Sequence, residues 1–74
     1  MENPIKSLRI LSKMSQVEFA RTIETTQSTI SKWEKNMRFP ERKNFILIMK
    51  LAKKFHLEAE ILKYFCKKTI KEKN

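Results

Sequence analysis

The stretch "TTQSTISKWEK", Thr25 to Lys35, arranges hydroxyls, one amide and two ammonium groups around Ile30 and Trp33, which lie three residues apart. These groups can donate and accept hydrogen bonds and carry positive charge. Covalent chemistry would need more. The 74-residue chain has no Gly, so no glycine-rich phosphate loop can form. It has no Asp, and His56 is its one histidine, so a triad, a zinc site or a carboxylate pair would have to come from eight scattered Glu and that His. A lone cysteine, Cys66, can form neither an internal disulfide nor a metal cluster. An enzyme is therefore disfavoured, and no cofactor and no metal are expected.

Charge points to a different class of partner. Seventeen Lys and Arg against eight Glu leave +9 on a very small body, with a pI near 10.0. Such an excess favours a polyanion, nucleic acid before an anionic membrane. Plain solubility is the competing reading of the same charge. No run of about 18 apolar residues is present to span a bilayer. "MENPIKSL" has its charged and apolar blocks in the wrong order for a signal peptide, so a cytoplasmic protein is expected. Apolar residues make up 41% of the chain, enough for a core and against disorder.

The polar groups can act together only if helices position them. Apolar residues recur at three and four rather than two, and starts and stops outline five helices in an all-α chain. Asn3-Pro4 reads as a cap followed by a first-turn proline, with Ile5, Leu8 and Leu11 as the stripe and Met14 closing it. Ser15-Gln16-Val17-Glu18 fits a capping box, opening a short helix with Phe19, Ala20 and Ile23 inward. Thr26 caps a third helix, Gln27 to about Lys35, and Asn36 suits a left-handed stop. A fourth starts near Pro40 or a turn later and ends at Phe55, with Phe45, Ile48, Met49, Leu51, Ala52 and Phe55 as its apolar set. The fifth runs from about Glu58 into a lysine-rich end, with Ile61, Leu62, Phe65, Cys66 and Ile70 inward and "KKTIKEKN" fraying. Two short helices across a tight turn, the first with a small Ala20 at mid-length, have the layout of a helix-turn-helix.

"MSQVEFARTIETTQSTISKWEKNMRFP" resembles the helix-turn-helix of lambda- and 434-type repressors, Cro proteins and the wider Xre family. The likeness extends over about residues 5 to 62, through Ile5, Leu8, Arg9, Ser15, Gln16, Phe19, Ala20, Ile23, Thr25, Thr26, Gln27, Ile30, Glu34 and Leu51-Ala52. It implies one lambda-repressor-like domain over residues 1–74, with the helix-turn-helix at about 15–36 and helices four and five at about 40–72. Family members often carry Gly where this chain has Lys13, Glu24, Asn36 and His56. A non-glycine residue at positive φ is uncommon, which predicts a different turn geometry at Glu24.

Carried over position by position, the resemblance makes Gln27, Ser28 and Lys32 the base-reading candidates, with Ser31 next. A Gln amide matches adenine N6 and N7, and a Lys suits guanine O6 and N7. Simple helix-start preference is the bland reading of Gln27 and Ser28. Phosphate candidates are Gln16 and Thr26 at helix starts, then Lys35, Asn36, Arg38, Arg42 and Lys43 after the reading helix. Arg9 and Glu34 are expected to pair between the first and third helices. Trp33 is expected to fill the core rather than stack on a base, His56 to end a helix, and Cys66 to lie in an apolar seam.

Lambda-like readers usually bind pseudo-palindromic sites as dimers. Ile46, Leu47, Ile61, Tyr64 and Phe65 exceed what so small a core needs, and this predicts a homodimer interface on the fifth helix. Packing of that helix on the fourth is the alternative. The function expected is a sequence-specific, double-stranded-DNA-binding regulator, most simply a repressor that occupies a palindromic operator. Phage Cro-like proteins, restriction–modification controllers, anti-CRISPR-associated regulators and antitoxins share this size. RNA polymerase or a toxin would be a further partner in some of those settings. The competing class is an antitoxin-type module that neutralises a protein and binds DNA for autoregulation.

Overall fold

Helix α1, Pro4–Leu11, begins where the sequence predicts, because Asn3 holds an extended backbone and its Oδ1 accepts from the N–H groups of Ile5 (2.8 Å) and Lys6 (3.2 Å). The computed structural model describes the backbone of residues 3–73 and the side chains of residues 3–66. Helix α2, Gln16–Thr22, opens on the reciprocal capping box: Glu18 N–H donates to Ser15 Oγ at 3.1 Å, and Ser15 N–H donates to Glu18 Oε1 at 2.8 Å. Helix α3, Gln27–Glu34, is capped by Thr26 Oγ1, which accepts from Thr29 N–H at 3.2 Å. Helices α4, Arg42–Lys54, and α5, Glu58–Lys73, complete the chain.

Each of the first four helices ends the same way. The closing N–H bonds back across the last turn, as from Thr25 to the Ala20 carbonyl (2.8 Å) and Met37 to the Lys32 carbonyl (2.8 Å). The residue before it sits in the left-handed region: Lys13 (φ 59°), Glu24 (63°), Asn36 (62°) and His56 (59°). The turn at Glu24 therefore does not depart from the geometry glycine favours, contrary to expectation. The double bond-back of the helix end outweighs the Cβ clash. That clash costs roughly 1–2 kcal/mol for a residue with a Cβ, while Gly loses about 0.5–1 kcal/mol of that advantage through its freer unfolded chain. His56→Gly should accordingly raise the unfolding free energy by about 0.5–1 kcal/mol. Urea titration followed by Trp33 fluorescence would register this as a higher midpoint at unchanged slope; a lower midpoint would refute it.

All five helices contribute to one core: Ile5 and Leu8, Phe19, Ala20 and Ile23, Ile30 and Trp33, Ile48 and Ala52, and Ile61. Ala20, 3% exposed, lets α2 and α3 approach. Four sequence expectations fail around this core. Leu11 is 51% exposed because α1 stops there and the chain turns away at Lys13. On α5 the inward stripe is Ile61, Tyr64 and Phe65, at i, i+3 and i+4. Leu62 and Cys66 lie about 60° and 100° beyond Phe65 at the edge of that stripe and are exposed. Ile61 itself is fully buried within one chain, so it has no surface to offer a second copy. The Ile70 side chain lies outside the described ones, and α5 is continuous to Lys73 rather than frayed over the described part of 67–74.

Candidate nucleic-acid interface

Burial of Ile30 and Trp33 fixes the rotation of α3, and at 100° per residue this turns Ser28, Lys32 and Lys35 outward, while Gln27 is exposed as the first residue of the helix, at its N-terminal tip. These four are exposed, and Ser31 is half-buried at their edge. Thr29 shares its hydroxyl with the cap, 2.9 Å from Thr26 Oγ1. The polar head of α3 is thus a surface held from behind by the core.

A relay of polar contacts fixes the azimuth of that surface. Arg9 donates to Glu34 through Nε at 2.6 Å and Nη2 at 3.3 Å, and its Nη1 donates to the Met14 carbonyl at 3.0 Å. This fork-to-fork geometry satisfies both groups, whose side chains are 16% and 6% exposed. Gln16 Nε2 donates to the same carboxylate at 3.1 Å, and Gln27 Nε2 reaches Gln16 Oε1 at 3.4 Å. The amide of Gln16 is therefore engaged between Glu34 and Gln27. The contact uses one Gln27 amide hydrogen and leaves the carbonyl oxygen and the second hydrogen for a ligand.

Two buried asparagines lock the unit: Asn44, which the sequence pattern does not single out, and Asn3, which it marks only as a cap. Asn44 of α4, 5% exposed, donates to the Ile23 carbonyl at 3.0 Å and so ties the helix-turn-helix turn to the next helix. Asn3, 9% exposed, does more than cap α1: its Nδ2 donates to the Trp33 carbonyl (2.9 Å), to Asn36 Oδ1 (2.8 Å) and to Tyr64 Oη (3.2 Å). The Tyr64 hydroxyl in turn donates to Asn36 Oδ1. Asn36, a phosphate candidate by resemblance, thus turns its carbonyl into the protein. Burial pushes the Tyr64 phenol above its ordinary range, opposed by the hydrogen bond from Asn3. An Asn in a polar first turn looks like any solvated residue, and an N-cap shows only its acceptor in sequence; both donors became visible only with their distant partners.

The cationic candidates cluster after α3. Lys35, Arg38, Arg42 and Lys43 are exposed along the connection from Lys35 to Glu41 and into the first turn of α4. That turn begins without a side-chain cap, leaving backbone N–H groups for an acceptor. Glu24 and Glu41 line the same shallow cleft as Arg38 and Lys43, so the positive surface is interrupted rather than uniform.

Two short helices crossing at a tight turn, the second carrying an exposed polar head on a buried Ile30–Trp33 base, define a helix-turn-helix DNA-binding domain. The chain belongs to the Cro/C1-type helix-turn-helix family, whose model matches residues 5–62. That is a family of DNA-binding regulators rather than of enzymes. Comparison with curated proteins and with solved structures returned no match. Among the described residues, no helix is long and apolar enough to cross a membrane.

Proposed function

We propose that the protein is a sequence-specific transcriptional repressor that inserts α3 into the major groove of an operator. Gln27, Ser28 and Lys32 would read base edges, with Ser31 at the margin of the contact. The observation that carries this reading is the Arg9–Glu34–Gln16–Gln27 relay, which braces the exposed head of α3 against two other helices. A solvated helix start has no use for such bracing; a reader of bases does, because a small rotation misaligns a bidentate contact. Thr26, Lys35, Arg38, Arg42 and Lys43 would hold phosphates on either side of the groove. Gln16 would act mainly by aligning Gln27, and Asn36 by shaping the connection that follows.

A homodimer on a pseudo-palindromic site completes the reading. With Ile61 committed to the core, the exposed apolar surface of α4 and α5 among the described residues is Ile46 (49% exposed) and Leu62 (45%), beside half-buried Leu47, Tyr64 and Phe65. Selection of bound duplexes from a random-sequence pool tests both parts. The expected consensus is a pair of inverted half-sites with centres about 10 bp apart. No enrichment would overturn sequence-specific reading, and an enriched single half-site would overturn the dimer.

A further inference from the structure

Between Asn36 and Phe39 lie Met37, 66% exposed, and the exposed Arg38. Both flanking residues are held by one side chain from a helix far along the chain. Tyr64 of α5 donates its hydroxyl to Asn36 Oδ1 and places its ring 5.2 Å from that of Phe39. Its hydroxyl also accepts from Asn3 Nδ2 at 3.2 Å, joining the cap of α1 to the same point. Phe65, next on α5, packs edge-on to Phe39 at 6.0 Å and to Phe45 of α4 at 4.7 Å. Edge-on aromatic contacts of this kind are directional as well as apolar. Pro40 follows Phe39 and disfavours its helical conformation, so the connection leaves the second anchor extended.

We infer that Tyr64 is a positioning residue for phosphate binding: from α5 it fixes the connection between α3 and α4 at both ends and thereby aims Arg38. The inference rests on the proposed reading that this connection meets the DNA backbone. The core does not need the hydroxyl, since the ring packing on Phe39 and Phe65 is retained by phenylalanine. Among the described residues, the hydroxyl supplies the one directional bond from α5 to Asn36, the left-handed residue from which the connection departs. Without it the Asn36 end of the span carrying Arg38 keeps the Asn3 amide bond to Oδ1 and the backbone closure of α3, but loses its tie to α5.

The test is a double-mutant cycle of Tyr64→Phe and Arg38→Ala, read by anisotropy of a short labelled duplex of arbitrary sequence over a salt series. Trp33 fluorescence gives the folded fraction, to which each affinity is normalised. Tyr64→Phe should weaken binding about fivefold, as for one lost hydrogen bond. Although the charge is unchanged, it should lower the salt slope by about one, as for one lost phosphate contact. Arg38→Ala should then cost little more in the Tyr64→Phe background, because both act through one contact. Additive effects, or a wild-type salt slope in Tyr64→Phe, overturn the inference and leave the DNA-binding reading intact. Failure of the wild-type protein to bind overturns both. Should Tyr64→Phe not fold, Asn36→Gly takes its place in the cycle: it removes the acceptor while easing the left-handed backbone, and the same non-additivity with Arg38→Ala is required.

Discussion

Replacing Glu34 by Ala should lower the unfolding free energy by about 3–5 kcal/mol, the cost of leaving one member of a largely buried ion pair without its partner. The Glu34 side chain is 6% exposed, and its carboxylate accepts from Arg9 and Gln16. Its removal strands the Arg9 guanidinium against α3 with, among the described residues, only the Met14 carbonyl as a remaining partner. A chain of this length has roughly 4–11 kcal/mol of stability at the usual value per residue. The variant should therefore unfold at a much lower urea concentration, with Trp33 fluorescence as the monitor. Arg9→Met/Glu34→Ala should recover a large part of the loss, since the penalty belongs to the orphaned charge and not to a missing attraction. A loss under about 1 kcal/mol, the ordinary worth of an exposed pair, would show that the relay is not structural.

Replacing Gln27 by Ala should weaken discrimination and leave folding intact. Gln27 is exposed, so the unfolding midpoint should shift by no more than about 0.5 kcal/mol. A lost bidentate contact to a base should weaken operator binding by about 1–3 kcal/mol, roughly five- to 150-fold. Binding to a scrambled duplex should hardly change, nor should the salt slope, because no phosphate contact and no charge is removed. Competition between the selected operator and its scrambled counterpart measures all three quantities. Operator affinity equal to wild type would mean that α3 does not read bases through its first residue.

Local chemistry was the legible part. The Asn3, Ser15 and Thr26 caps each act within three residues of themselves, so a short window of sequence contains all that is needed to foresee them. The inward faces of α1 to α4 followed from periodicity except at Leu11, where α1 stops, and the outward face of α3 followed as their complement. Failures began where a residue's neighbours come from elsewhere in the chain. Sequence periodicity placed Leu62 and Cys66 inward on α5, yet α5 settles on α1 and α4 through Ile61, Tyr64 and Phe65. Glu24 was expected to distort its turn. Two closing backbone bonds hold it instead in the left-handed region, and no property of a glutamate side chain announces that.

What the amino-acid order determined by itself is a five-helix, strongly cationic domain with a capped, polar-headed third helix, because caps, periodicity and charge are properties of adjacent residues. Beyond the Arg9–Glu34 pair that the resemblance implied, tertiary structure decided how that helix is aimed. Asn3 reaches the Trp33 carbonyl across thirty positions and Tyr64 across sixty-one, and Asn44 reaches back twenty-one to Ile23. Hydrogen bonds have no sequence period, and their partners are chosen only when burial brings distant polar groups into a place where none can be left unpaired.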